Sequence, residues 1–300
     1  MDFDTRYKQY LDVVENWLEG VLPEVRLSQD EFPEKRIYEA MGYSLMAGGK
    51  RIRPVLSLAV CDLINGDEKE IIPFAGAIEL IHTYSLIHDD LPCMDNDDYR
   101  RGKLTNHKVF GEAMAVLAGD GLLNLAFEIM LRETLKDDHK NFFRMKTAYM
   151  ISVSAGVKGM VGGQVIDMES EKAEISYNVL CRMHKMKTGA LIRASVLAPA
   201  ILFNAEKSIV DKLEIYAENI GLAFQIKDDI LDFEGDSKVT GKPTGSDTAN
   251  NKSTFVSILG IAKAKELLET SVENAVRALE EMESSEFLTR IARFISERNK

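Results

Sequence analysis

The chain has 300 residues, 45% of them hydrophobic, and a formal net charge of −11. That length and apolar content can build a sizeable core, while the charge argues against nonspecific attachment to DNA or to anionic membranes, so no nucleic-acid partner is expected. The three cysteines, Cys61, Cys93 and Cys181, form neither a disulfide framework nor a zinc-ligand spacing, which fits a reducing, cytoplasmic location.

Residues 1–10 alternate in charge and lack the apolar centre of a signal sequence. Tyr10, Val14, Trp17, Leu18 and Val21 recur at helical spacing and predict an amphipathic opening helix. Residues 47–54, with Gly48-Gly49 and Pro54, should join two helices. Residues 74–90 are apolar almost to their end, as in a helix buried on most sides, and Pro92 then interrupts the pattern. Further helices are predicted over 112–131, over 145–161 with an end at Gly162-Gly163, over 178–202 and over 209–233. The longest polar, glycine-containing stretch, 235–252, reads as a mobile loop. Two amphipathic helices, 256–282 and 287–297, follow. No run of alternating β-branched residues predicts a strand. No apolar run approaches the ~18 residues of a membrane span; the longest, 194–203, contains Pro199 and reads as a buried helical segment. No linker, internal repeat or low-complexity tract divides the chain. The expectation is therefore an all-α chain folded as one domain over 1–300.

Two aspartate clusters stand at the polar ends of apolar segments. The first is Asp89-Asp90-Leu91-Pro92-Cys93-Met94-Asp95, followed by Arg100-Arg101; the second is Asp228-Asp229-Ile230-Leu231-Asp232. Clustered carboxylates repel unless a cation joins them, and small groups of hard oxygen ligands suit Mg²⁺, which shares its shell with water and substrate phosphates. Asp228 and Asp232 are four apart and share a helix face. Asp95 lies beyond Pro92 and must return through a turn to reach the ion held by Asp89 and Asp90. A calcium loop starting at Asp95 would need glycine at its sixth position and glutamate at its twelfth; Arg100 and Asn106 stand there instead. A solvated helix end is the plain alternative for either cluster alone. By the same standard, Gly48-Gly49-Lys50-Arg51-Ile52-Arg53-Pro54 is surface charge, His82 a satisfied core histidine, and Lys187-Thr188-Gly189 a weak signal. Gln225, one turn before Asp229, is an amide in apolar company that needs a partner when buried.

Taken together these segments resemble the short-chain trans-polyprenyl diphosphate synthases, nearest to the bacterial farnesyl diphosphate synthases. The resemblance spans essentially the whole chain. It rests on Gly49 to Pro54, Ile81 to Asp90, Arg100-Arg101-Gly102, Lys187-Thr188-Gly189, Phe224-Gln225 through Asp232, and Gly241-Lys242 through Asn251-Lys252-Ser253. It implies a single-domain isoprenoid synthase fold, with helices around a deep central cavity and the aspartate clusters facing each other at its mouth. Asp89, Asp90, Asp95, Asp228, Asp229 and Asp232 would hold Mg²⁺ directly or through water, with three ions per site. Lys50, Arg53, His82 and Arg101 would bind isopentenyl diphosphate. Arg100, Lys187, Lys242 and Lys252 would bind the allylic diphosphate, with Thr188 and Gln225 near its reactive carbon. Tyr84 beside the small Ser85, five residues before Asp89, would set the product at C15, and a homodimer is implied.

The reaction so implied is ionisation of an allylic diphosphate, attack on the cation by the double bond of isopentenyl diphosphate, and loss of a proton. Three alternatives stand beside a farnesyl (C15) synthase. The first is a geranylgeranyl (C20) synthase. A terpene cyclase would have little use for a second basic site and usually carries a different second metal motif. A noncatalytic subunit would be expected to lose carboxylates, and both clusters are complete here.

Overall fold

The structure is a computed structural model. It describes residues 2–22, 34–136, 139–171, 174–234 and 253–298. These divide into two compact units, Met1–Leu58 with Asp67–Ala148 and Ala59–Gly66 with Tyr149–Lys300.

In chain order the helices are α1 (Phe3–Val21), α2 (Lys35–Leu45), α3 (Ile52–Leu63) and α4 (Glu68–Asp89), then a hairpin of β1 (Tyr99–Arg100) and β2 (Lys103–Leu104), then α5 (Asn106–Phe110), α6 (Glu112–Thr134), α7 (Asn141–Ala155) and α8 (Met160–Ser170). They continue with α9 (Tyr177–His184), a π-helical turn (Lys185–Gly189), α10 (Ala190–Leu202), α11 (Lys207–Glu234), α12 (Phe255–Leu259), α13 (Ile261–Leu279) and α14 (Glu286–Glu297). The all-α expectation holds, apart from the two-residue hairpin.

In the first unit α4 is the axis. Its residues are buried nearly all round, from Ile71 to Ile81, which explains why its sequence shows no amphipathic stripe. Each fully buried Phe, Ile or Leu contributes about 1.5–3 kcal/mol by leaving water. α1, α2 and α6 pack on α4. Gly76 lets α1 close in, because a Cβ there would stand 2.0 Å from the Trp17 ring. The helix begins earlier than the apolar run suggests. Asp67 caps it by accepting from the Lys69 amide at 2.9 Å, and Pro73 is carried inside.

In the second unit α11 packs on α10, α13 and α14. Tyr216 on α11 is fully buried, and its hydroxyl donates to the Leu288 carbonyl at 2.8 Å.

Glycine accounts for further differences from the sequence reading. The helix predicted over 145–161 breaks after Ala155, where a Cβ on Gly159 would meet the Ser154 carbonyl at 2.0 Å. Gly162 and Gly163 do not end a helix; they lie within α8. The helix predicted from 256 is split at Gly260, whose φ is +79°. The apolar-run expectation also needs correction: α4 and α6 both reach the length and apolarity of a membrane span. α4, however, is packed in its unit, and α6 exposes Asp120, Asn124 and Glu128 along one stripe. The predicted loop over 235–252, with Lys242 and Lys252, lies outside the described residues.

Candidate active site

The first cluster forms where α4 stops. Asp89 is its last residue and Asp90 its C-cap. The chain then turns tightly: the Met94 amide donates to the Leu91 carbonyl at 2.9 Å, and the Asp95 amide donates to the Asp89 carbonyl at 2.9 Å. Pro92 therefore ends the helix without carrying the chain away, and Asp95 returns beside Asp89 as the spacing requires. Asp90 is 3% exposed. It accepts from Arg100 Nε at 2.8 and 2.9 Å and from Nη2 at 2.6 Å. This is a fork of charge-assisted bonds that fixes the hairpin against the helix end.

The hairpin separates the two arginines. Arg101 and Gly102 form its turn, with φ of +53° and +75°, the pair of positive angles that a two-residue hairpin favours. Arg100 is thereby aimed at Asp90, while Arg101 donates to the Gly48 carbonyl. Gly49 makes room for it, since a Cβ there would stand 2.8–3.0 Å from the Arg101 guanidinium. His82 lies in the field of these groups. Burial first, then the charges of Arg53, Arg101, Arg100 and Arg51, hold its imidazole well below the ordinary histidine range, so it is neutral near pH 7. Lys50 is exposed at the same loop, and its carbonyl accepts from the Tyr7 hydroxyl at 2.6 Å. The proposed isopentenyl-side residues thus share one region of the first unit.

Arg51, from the same basic loop, has a different task. It is 3% exposed with φ of +47°. It donates to Glu15 at 2.8 Å, Glu79 at 2.9 Å and the Leu45 carbonyl at 2.6 Å. Sequence reasoning missed this anchor. Its signal was Glu79, one carboxylate in an apolar run, which must find a cation when buried.

In the second unit Lys187 and Thr188 sit on the π-helical turn. Such turns bulge the backbone and recur at functional sites. Gly163 of α8 supports the bulge: a Cβ there would stand 2.2 Å from the Lys187 amide nitrogen. The Lys187 ammonium meets Asp167 at 2.6 Å; Asp167 is a second partner that the sequence reading missed. The Thr188 hydroxyl donates to Gln225 Oε1 at 3.2 Å, and Gln225 Nε2 donates to Asp229 Oδ1 at 3.0 Å. Asp229, 4% exposed, also accepts from the Phe255 amide at 2.7 Å. Gln225 thus has the partner its setting demanded.

Asp228 and Asp232 follow one another on α11 by one turn. Arg298, just past α14, donates to Asp228 Oδ1 at 2.6 Å and to the Phe224 carbonyl at 2.8 Å, and its guanidinium lies 3.9 Å from the Phe224 ring centre. The basic terminus therefore reaches the second cluster through Arg298. Among the described residues no three carboxylate, imidazole or thiol groups converge as a ready-made metal site. The donor set is nonetheless hard oxygen, grouped at the end of α4 and along α11. That suits Mg²⁺, which keeps waters and takes substrate phosphate.

The polyprenyl synthetase profile matches residues 34–291. The chain is 47% identical over 268 residues to farnesyl diphosphate synthase of Micrococcus luteus, covering 89% of this chain and 91% of that one. It is 50% identical over 246 residues to farnesyl diphosphate synthase of Geobacillus stearothermophilus, covering 81% and 82%. To geranylgeranyl diphosphate synthase of Cyanophora paradoxa it is 44% identical over 265 residues, covering 88% of each. Among solved structures, geranyltransferase from Legionella pneumophila superposes with a TM-score of 0.84 at 31% identity, covering 99% of this chain and 96% of that one. With the aspartate clusters, the paired arginines and the lysine-threonine turn all in place, the chain belongs to the polyprenyl synthetase family.

Proposed function

We propose that this protein is a Mg²⁺-dependent prenyltransferase. It condenses isopentenyl diphosphate head to tail with dimethylallyl or geranyl diphosphate, giving (2E,6E)-farnesyl diphosphate and free diphosphate. The observation that carries this reading is the basic group around His82. In a chain of net charge −11, Arg53 and Arg101 stand with Arg100 and Arg51 about a neutral imidazole. Arg100 is held by Asp90 and Arg51 by Glu15 and Glu79, so Arg53 and Arg101 are the pair suited to a small polyanion. The high identity to farnesyl diphosphate synthases supports the C15 product.

Arg53, Arg101, His82 and Lys50 bind the diphosphate of isopentenyl diphosphate. Arg100, Lys187, Lys242 and Lys252 bind that of the allylic substrate. The allylic carbon–oxygen bond breaks, and its electron pair leaves with the diphosphate. The double bond of isopentenyl diphosphate attacks the cation, and a proton then passes to the departed diphosphate. Gln225 and Thr188 place carbonyl and hydroxyl dipoles beside the cation, and fixed dipoles of this kind need no reorganisation during the step. Asp89, Asp90, Asp95, Asp228, Asp229 and Asp232 would hold Mg²⁺ directly or through water, three ions per site, and the metal would neutralise charge on the leaving diphosphate. Cation and alkene must be kept from water, which an apolar interior provides.

The same reading places the enzyme in the cytoplasm, where free Cys61, Cys93 and Cys181 stay reduced. It makes the enzyme a homodimer formed as one domain per chain, for which Leu117, Leu131 and Leu135, exposed along α6 and just beyond its end, are candidate contacts. The test is incubation with Mg²⁺, isopentenyl diphosphate and geranyl diphosphate, followed by chromatography of the dephosphorylated products. Farnesol is expected. A geranylgeraniol product would favour the C20 alternative, to which the identity with the Cyanophora paradoxa enzyme lends weight. Absence of prenyl product and of released diphosphate would overturn the reading.

A further inference from the structure

Phe255 makes two contacts of different kind within the second unit. Its backbone amide, in the first turn of α12 and so without a partner inside that helix, donates to Asp229 Oδ2 at 2.7 Å. Its ring, fully buried, stacks on the His184 imidazole with centroids 5.2 Å apart and planes 27° from parallel. His184 is the last residue before the π-helical turn. It is 8% exposed, and neither ring nitrogen has a hydrogen-bond partner among the described residues. Among the described residues the contact that engages this imidazole is the stack on Phe255, made through its flat ring.

These contacts close a circuit. From Phe255 the path runs through its amide to Asp229, from Asp229 to Gln225, from Gln225 to Thr188, along the π-helical turn to His184, and by ring stacking back to Phe255. The hydrogen bonds hold the Thr188 side of the turn, and Asp167 holds the Lys187 ammonium. The ring pair fixes the other side. Lys187 stands between the two restraints.

We propose that the stacked pair Phe255–His184 is a positioning device that holds the π-helical turn, and with it Lys187 and Thr188, in register with Gln225 and Asp229. The role asks for no contact between either ring and substrate. The inference rests on the functional reading above, in which Lys187 and Thr188 serve the allylic substrate. It adds a geometric requirement that the reading does not contain.

Three variants test it. Phe255→Leu and His184→Leu keep apolar volume but abolish stacking; His184→Phe keeps a ring. With each shown to be folded by circular dichroism, the two leucine variants should raise the KM for geranyl diphosphate and lower kcat by about tenfold, in line with the cost of small misplacements. The KM for isopentenyl diphosphate should stay within about twofold of wild type, since the displaced groups serve the allylic substrate, whereas a general loss of stability would not discriminate between the two substrates. His184→Phe should restore the allylic KM lost in His184→Leu. In ¹³C-histidine-labelled protein, the His184 ring resonance should lose its upfield ring-current shift in Phe255→Leu. Leucine variants with unchanged allylic KM and kcat, beside an active wild type, would overturn the positioning role. Equal loss in His184→Phe and His184→Leu would do the same. An inactive wild type would instead strike at the functional reading, so the two failures are distinguishable.

Discussion

Asp90 and Asp229 are both buried, and each is held by protein donors: Arg100 for the first, Phe255 and Gln225 for the second. Their neighbours Asp89 and Asp228 carry the prediction for metal-assisted ionisation. Asp89→Ala or Asp228→Ala should leave a folded helical protein and lower turnover roughly 10³-fold, equivalent to about 4 kcal/mol of transition-state stabilisation. Circular dichroism with steady-state rates checks this, and near-normal turnover would remove that aspartate from the site. The basic residues should sort by substrate. Arg53→Ala should chiefly raise the KM for isopentenyl diphosphate and Lys187→Ala that for the allylic partner. Indistinguishable effects on both substrates would mean that the division of binding roles is wrong.

At the scale of elements, the two critical helices are set by small and large residues at fixed depth. Tyr84 lies on α4 five residues before Asp89, about 7.5 Å along the axis at 1.5 Å per residue. It is 7% exposed and meets His88 edge-on at 5.6 Å; its neighbour Ser85 is small and adds no second barrier. If this ring limits the growing chain, Tyr84→Ala shifts product from C15 to C20 or longer. A variant still stopping at C15 would assign Tyr84 to core packing. On α8, Gly163 admits the backbone of Lys187 at a distance no Cβ tolerates. Gly163→Ala should therefore destabilise the protein by about 1–3 kcal/mol. Because the displaced atoms belong to the π-helical turn, it should also raise the allylic KM. Thermal unfolding and substrate titration measure the two effects separately.

The molecule as a whole should be acid-sensitive through a histidine outside the proposed metal clusters. Burial first pushes His184 from 6.5 down to about 4, with Lys187 lowering it further and Asp167 acting the other way. A depressed histidine is neutral in the fold but protonates in the unfolded chain below pH 6.5. Stability is therefore full above that pH and falls as pH drops from 6.5 towards about 4. The loss from this one group is about 3 kcal/mol at most. Urea midpoints across that window should decline in the wild type and decline less in His184→Phe. Identical slopes would show that other groups govern the acid limb. His82, depressed for related reasons, adds a loss of the same sign that His184→Phe leaves in place.

Much of this was legible in the chain. Periodicity and punctuation located the helices, because an apolar stripe or an all-apolar run has few other ways to be buried. The aspartate clusters were legible because like charges this close in sequence demand a cation wherever they fold. Gln225 announced its need for a partner by its apolar setting, and the return of Asp95 followed from Pro92 and the spacing. Other features depended on contacts between residues far apart in sequence. Nothing local distinguishes Arg51, anchored to Glu15 and Glu79, from Arg53 two positions on. Gly162-Gly163 read as a helix end because glycine is a poor helix former; in the fold they are a groove for a neighbouring backbone. The π-helical turn, the Asp167 partner of Lys187 and the Phe255–His184 stack arise only when α8, α9, α11 and α12 are packed together. The sequence by itself determined the element types and the chemistry of the charged clusters, since both follow from local spacing and side-chain identity. Only the tertiary structure decided which charges are neutralised within the protein and which backbone is held in register, since those depend on distances the linear order does not contain.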